Sequence, residues 1–406
     1  RQMCIRDRYK SERSIKMPRI TAEEVQTIPY GPLGIIALPG TEKLAEKINS
    51  YLVKWREDQI RNHKENIAFY GYQRANYLID TTIARFGSGE GKAVINDTVR
   101  GYDLYILVDC FNYSVTYNMY GKEVPKSPDD HFSDLKRVIS AASSKAKRIN
   151  VIMPMLYEGR QHKRSSRESL DCAMALQELT SLGVENIITF DAHDQRVQNS
   201  IPHKSFENVM PTYQMIKALV NSVDDLSIDP DHLMVISPDE GAMHRCIYFA
   251  TQLGVNLGMF YKRRDYTRVV NGRNPIVAHQ YLGESVEGKD IIIVDDMISS
   301  GESMLEVARK LKELKAKRIF VCTAFGLFCN GLEIFDKAHE EGIFEKVFTT
   351  NGIYQSDELL ARDWYESVEL SKYLAYFLDT INHDLSVSSL LDNSETVSYT
   401  HLRAHE

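Results

Sequence analysis

The stretch Ile291-Ile292-Ile293-Val294-Asp295-Asp296-Met297-Ile298-Ser299-Ser300-Gly301-Glu302-Ser303 decides how the chain is read. Its four opening β-branched residues are too few for a helix and too uniformly apolar for a surface strand, so they read as a strand buried on both faces. Two carboxylates follow, then a turn rich in small hydroxyl residues. From Ser303 to Lys315 apolar residues recur at three- and four-residue spacing, which predicts a helix. Strand, turn and helix in this order build a parallel sheet, and such sheets bind ligands at the C-terminal edge of their strands. Adjacent carboxylates at that edge accept hydrogen bonds from vicinal sugar hydroxyls. Backbone N–H groups and serine hydroxyls at a helix N-terminus suit a phosphate. The combination describes a ribose phosphate; the alternative is a helix capped by Ser299 and Ser300 beside a solvated pair of acids.

The same alternation extends outward from about Ile35 to Val321. Apolar runs predict strands at Ile35 to Leu38, Leu104 to Val108, Ile149 to Met153, Asn186 to Thr189, Leu233 to Ile236, Ile291 to Val294 and Ile319 to Val321. Between them, Thr41 to Lys54, Ser169 to Leu182, Pro211 to Asn221, Met243 to Gln252 and Ser303 to Lys315 read as crossover helices. Leu104-Tyr105-Ile106-Leu107-Val108-Asp109 ends as the Ile291 strand does, a hint of duplication that any apolar strand before an acid would also give. Pro202 and Pro211 bracket a polar stretch that marks a domain boundary. Residues 55–66 and 112–130 look like additions to the repeat. The tails, 1–19 and 393–406, lack a periodic apolar face and are expected to be disordered.

With 406 residues, 43% of them hydrophobic, the chain supports a sizeable core and two or three domains. The formal net charge of -7 argues against a general nucleic-acid binder. Six scattered cysteines without a CxxC pair fit free thiols in a reducing compartment. No apolar run reaches the roughly 18 residues of a membrane span, so a soluble cytoplasmic protein with no membrane partner is expected.

The carboxylate pair and its turn resemble the binding fingerprint of the type I phosphoribosyltransferase fold. Most members of that fold consume phosphoribosyl pyrophosphate. The ribose-phosphate pyrophosphokinases make it, and they alone are built as two tandem copies. The expected fold is therefore α/β, with two tandem phosphoribosyltransferase-like domains at 30–205 and 206–391, each a mostly parallel sheet flanked by helices.

Further segments resemble that family in its order. Tyr157-Glu158-Gly159-Arg160-Gln161-His162-Lys163-Arg164 looks like its ATP loop, which implies Arg160 on the nucleotide phosphates and Gln161 near the adenosine. Phe86-Gly87-Ser88-Gly89-Glu90 resembles a segment that reaches the adenine site of a neighbouring subunit, which implies ATP contacts from Phe86, Ser88 and Glu90 and a homo-oligomer, a hexamer or a dimer. Asp191-Ala192-His193 and Ser237-Pro238-Asp239 imply a magnesium site from His193, Asp239 and Asp191, with Asp239 the stronger ligand because magnesium prefers oxygen. Tyr261-Lys262-Arg263-Arg264-Asp265-Tyr266-Thr267-Arg268 matches a catalytic loop, which implies Lys262 and Arg264 on the phosphates in transfer. Taken singly, these segments are also a basic surface loop, a glycine turn, a capped helix and a charged hairpin.

The resemblance implies Mg-ATP and ribose 5-phosphate as substrates and diphosphoryl transfer as the reaction. Arg264, Asp295, Asp296, Ser299, Ser300, Gly301, Glu302 and Ser303 would hold the ribose 5-phosphate. Four positions depart from the family's pattern: Ser88 and His162 stand where it has Asp, Ser299 replaces an Asp, and Glu302 replaces a Gly in the phosphate turn. A catalytically silent regulatory homologue and a nucleobase phosphoribosyltransferase are the competing expectations.

Overall fold

In a computed structural model that describes residues 28–61, 72–264 and 276–391, the apolar runs form two separate sheets. The first half contains β1 (Leu33–Ala37), α1 (Glu42–Arg61), β2 (Thr81–Arg85), β3 (Gly91–Ile95), β4 (Asp103–Leu107), β5 (Thr116–Met119), β6 (Lys122–Pro125), α2 (Pro128–Ala142), β7 (Arg148–Ile152), α3 (Asp171–Ser181), β8 (Asn186–Phe190) and β9 (Ser205–Val209). Its sheet runs β1-β4-β7-β8-β9, parallel throughout. The β2–β3 and β5–β6 hairpins stand apart as two-stranded sheets.

The second half contains α4 (Thr212–Ser222), β10 (Leu233–Ser237), α5 (Met243–Leu253), β11 (Asn256–Arg264), β12 (Ile276–Leu282), β13 (Asp290–Ile298), α6 (Glu302–Glu313), β14 (Ile319–Gly326), α7 (Glu333–Glu340), β15 (Lys346–Thr350), α8 (Asp357–Leu360), β16 (Tyr365–Val368), α9 (Ser371–Asn382) and α10 (Ser388–Leu391). Its sheet runs β12-β11-β10-β13-β14-β15-β16, parallel except for β11 against β12. Without the β11–β12 arm, β10-β13-β14-β15-β16 repeats the order of the first sheet.

Buried charges mark the same duplication. Asp103 opens β4 and receives Nε and Nη2 of Arg148, both at 2.7 Å. Asp290 opens β13 and receives the same two atoms of Arg318, at 3.0 and 2.6 Å. In each clamp the third nitrogen, Nη1, turns outward to an aspartate just after a helix, Asp384 at 2.6 Å or Asp225 at 2.7 Å. Planar guanidinium forks suit such two-point pairing.

The halves also exchange helices. α4 follows the first sheet but buries Met215, Ile216, Leu219 and Val220 in the core of the second, with Val235, Ile292, Phe320 and Phe348. α9 follows the second sheet but buries Leu374, Phe377 and Leu378 beside Ile35, Leu44, Ile48 and Tyr105 of the first. Each of these side chains contributes roughly 1.5–3 kcal/mol by leaving water. Trp55 of α1 stacks on Tyr376 of α9 with ring centroids 4.5 Å apart.

Several boundaries differ from the sequence reading. β9 pairs with β8 through Val209, so the first sheet runs past the boundary expected at 205/206. β13 continues four residues beyond Val294, placing both carboxylates on the strand itself, because β14 also extends and pairs with Asp295, Met297 and Ile298. Residues 55–61 of the first expected addition prolong α1, while 62–66 lie outside the described residues. The second addition forms the β5–β6 hairpin and the start of α2, whose capping box joins Ser127 and Asp130. The tails at 1–19 and 393–406 lie outside the described residues. Among the described residues, no helix is long and apolar enough to cross a membrane, and the five cysteines are free.

Candidate active site

The C-terminal ends of both sheets face one cleft. From the second half, β13 delivers Asp295 and Asp296. Only 5% of the Asp296 side chain is exposed, against 22% for Asp295. From the first half, the turn after β8 delivers Asp191 and His193. Asp191 adopts a left-handed φ of 38°, uncommon for a residue with a side chain. Its N–H donates to Val209 at 2.9 Å, and the next N–H donates to the Asn208 side chain at 2.8 Å.

These groups interlock across the halves. His193 Nδ1 lies 2.6 Å from Asp296 Oδ2. Arg245, in the first turn of α5, places Nε 3.0 and 3.2 Å from the Asp191 oxygens and Nη1 3.4 Å from Asp295. Burial raises the Asp191 carboxyl to about 6 against the pull of Arg245. Burial and the charge of Asp296 hold Asp295 well above the usual carboxylate range. Burial acts against ionised Asp296 too, but the His193 hydrogen bond and the Arg245 charge outweigh it and lower its pKa. The hydrogen bond to Asp296 raises His193.

The basic loop reaches this cleft. Arg160 Nη1 lies 3.4 Å from the Ser299 hydroxyl, joining the expected ATP loop to the expected phosphate turn. Gln161 donates its side-chain amide to the Ser169 carbonyl at 2.9 Å. His162 Nε2 sits 3.4 Å from Asp194, and burial lowers its pKa. A cavity of about 470 Å³ lies against His162, Lys163, His193, Arg196, His244 and Arg245. A smaller one, of about 150 Å³, lies between Arg160, Tyr157, His193, Met297 and Phe325.

In the expected phosphate turn, Gly301 has a φ of 87°, and a Cβ there would meet the Phe335 ring at 2.3 Å, so only glycine fits. Helix α6 starts at Glu302, whose carboxylate receives the Asn330 amide at 3.4 Å. Ser300 is half-buried and Ser303 exposed. Phe86, Ser88 and Glu90 occupy the β2–β3 turn, where the Ser88 hydroxyl donates to Glu90 at 2.8 Å. They are not among the residues lining either cavity. Phe86 is 56% exposed, and Tyr120 of the β5–β6 hairpin braces the turn by donating its N–H to the Gly87 carbonyl at 2.8 Å.

The backbones of Lys262 and Arg264 form the end of β11, opposite His279 and Ile276. Their side chains, and residues 265–268 of the expected catalytic loop, lie outside the described residues. Of the expected metal ligands, Asp191 is engaged by Arg245, and Asp239 Oδ1 accepts the N–H groups of Gly241 and Ala242 at 2.9 and 3.3 Å. Among the described residues no group of three or more His, Cys, Asp or Glu could hold a metal ion.

A family model described as the N-terminal domain of ribose phosphate pyrophosphokinase matches residues 33–183, and a phosphoribosyl transferase domain model matches residues 204–352. The chain belongs to the ribose-phosphate pyrophosphokinase family. The ribose-phosphate pyrophosphokinase of Vibrio parahaemolyticus is 27% identical over 321 residues, 78% of this chain and 92% of that protein. That of Thermosipho africanus is 28% identical over 319 residues, 77% and 90% of the two chains. The crystal structure of phosphoribosylpyrophosphate synthetase from Mycobacterium smegmatis has the same fold, with a TM-score of 0.66 at 20% identity over 87% of this chain and 99% of that one. The tandem α/β architecture expected from the sequence is that of the ribose-phosphate pyrophosphokinases. Arg245 escaped the sequence reading because a lone Arg in a helix carries no local pattern.

Proposed function

We propose that the protein is a ribose-phosphate diphosphokinase that moves the diphosphoryl group of Mg-ATP to the 1-hydroxyl of ribose 5-phosphate, giving phosphoribosyl pyrophosphate and AMP. The hydroxyl oxygen attacks the β-phosphorus and gives up its proton to solvent, the bond from that phosphorus to the α-phosphate oxygen breaks, and AMP leaves with the electron pair. The observation that supports this reading is the contact between Arg160 of the first half and Ser299 of the second, which brings the expected nucleotide loop against the expected sugar-phosphate turn.

In this reading Asp295 and Asp296 serve the ribose hydroxyls, and Ser299 to Ser303 serve the 5-phosphate. Arg160 meets the ATP phosphates, with Gln161 nearby. Lys262 and Arg264 neutralise charge on the oxygens in transfer, a contribution of a few kcal/mol for preorganised donors. His193 and Asp239 would hold magnesium, which when bound neutralises phosphate charge. The Phe86, Ser88 and Glu90 turn would serve a neighbouring copy in a dimer or hexamer.

A second reading, a catalytically silent regulatory homologue, is favoured by Glu302, an acid in the first turn of α6 where the family has glycine. The test incubates the pure protein with Mg-ATP and ribose 5-phosphate and quantifies AMP and phosphoribosyl pyrophosphate. Equal amounts of both support the synthetase. ADP in place of AMP sinks it, and retained nucleotide binding without any product supports the silent homologue.

A further inference from the structure

Arg245 is 7% exposed and lies within reach of carboxylates from both halves of the molecule. Besides Asp191 and Asp295, its Nη1 stands 3.9 Å from Asp296. Without a cation, two adjacent strand carboxylates and a third across the cleft would repel one another in a region that water barely reaches. A guanidinium keeps its charge under all ordinary conditions, and its planar fork addresses several acids at once. The backbone at Asp191 is held in an uncommon conformation that aims its carboxylate at this fork, and strain of this kind gathers where geometry serves function.

We propose that Arg245 is a positioning residue of the cleft: a shared counter-ion that sets the spacing between the Asp191–His193 turn of one half and the Asp295–Asp296 pair of the other. The inference rests on the reading of Asp295 as a ribose-holding acid. Arg245 touches no reacting atom in this scheme. Its nitrogens fix where Asp295 stands, while His193, held by Asp296 through Nδ1, keeps its other ring nitrogen for the cleft. A lysine has the charge but not the fork, so it neutralises one acid and leaves the others to move apart.

The test uses the full-length protein with Arg245→Lys, Arg245→Met and the double variant Arg245→Met/Asp191→Asn. Steady-state kinetics with each substrate varied, and thermal melts of every variant, are the readouts. Arg245→Lys is expected to melt near wild type while KM for ribose 5-phosphate rises at least ten-fold, with kcat and KM for ATP changing less than three-fold. An unchanged KM for ribose 5-phosphate, or an equal rise in both KM values, overturns the positioning role. Arg245→Met is expected to melt lower than wild type, and adding Asp191→Asn is expected to restore part of the loss. A double variant no more stable than Arg245→Met overturns the shared counter-ion. If the wild-type protein makes no product, the functional reading falls, and the melts alone decide whether one guanidinium serves both halves.

Discussion

At the N-terminal edges of their sheets the two halves are near copies; at the opposite edges they diverge. Asp103–Arg148 and Asp290–Arg318 use the same atoms in the same places. At the other end, β13 carries Asp295 and Asp296 and passes within a short turn into α6. The matching strand β4 ends near a single acid, Asp109, and the chain then detours through the β5–β6 hairpin before reaching α2. Asp109 accepts N–H groups from Phe111 at 2.9 Å and, from the second half, Tyr354 at 2.7 Å. Duplication preserved what holds a sheet together and left the ligand edge free to specialise. One copy carries a pair of acids and a short glycine-containing turn into α6, and the other uses its acid to dock the partner half.

Breaking the shared edge is expected to have the largest effect. Asp103 is fully buried and also receives Asn150, Asn382 and the Tyr105 hydroxyl, so Asp103→Ala strands a guanidinium and several donors. A loss of about 3–5 kcal/mol is expected, larger than for Asp290→Ala, whose carboxylate has fewer partners. Chemical denaturation of the two variants checks the ranking, and equal losses would mean that the extra partners contribute nothing.

Next in size is the contrast at the ligand edge. Asp295→Ala is expected to lower kcat/KM for ribose 5-phosphate by about 100-fold, the value of roughly 3 kcal/mol lost with charge-assisted hydrogen bonds. Asp109→Asn is expected to leave that ratio within a few-fold of wild type. Similar losses in the two variants would erase the division of labour between the edges.

The smallest effect concerns pH. Burial raises the Asp109 carboxyl from 3.8 to about 6, against two backbone hydrogen bonds that favour the ionised form. Because the folded value lies above the unfolded one, the associated stability is complete below about pH 4 and is lost as pH rises through 6. Wild type should therefore weaken relative to Asp109→Asn between those pH values, by at most about 3 kcal/mol. Parallel stability curves for the two proteins would rule this out.

The buried strands were legible because both of their faces are apolar. The hairpins were not: Thr81–Arg85 and Gly91–Ile95 are partly exposed throughout and have few bulky apolar residues. β9, Ser-Phe-Glu-Asn-Val, is too polar to stand out as a strand. The duplication has a clearer sequence mark than the shared strand ending, since Lys145-Ala146-Lys147-Arg148-Ile149 recurs as Lys315-Ala316-Lys317-Arg318-Ile319. Each copy leads into an equivalent strand and supplies its clamp arginine. At the site, the paired acids and the basic loop could be found because their neighbours in sequence are their neighbours in space. The role of Arg245 depends on partners 54 and 50 residues away, and the exchanged helices depend on which sheet an amphipathic face meets. Neither is written in a local window.

The position of α9 has a consequence for protein synthesis. The helix that covers Ile35, Leu44 and Tyr105 is translated after the whole second sheet. At roughly 5–20 residues per second, a ribosome takes about 10–30 s to travel from β9 to α9. Throughout that interval the emerging first sheet has α1 against this face but lacks Leu374, Phe377 and Leu378 of α9, so its core closes only when the last part of the chain is made.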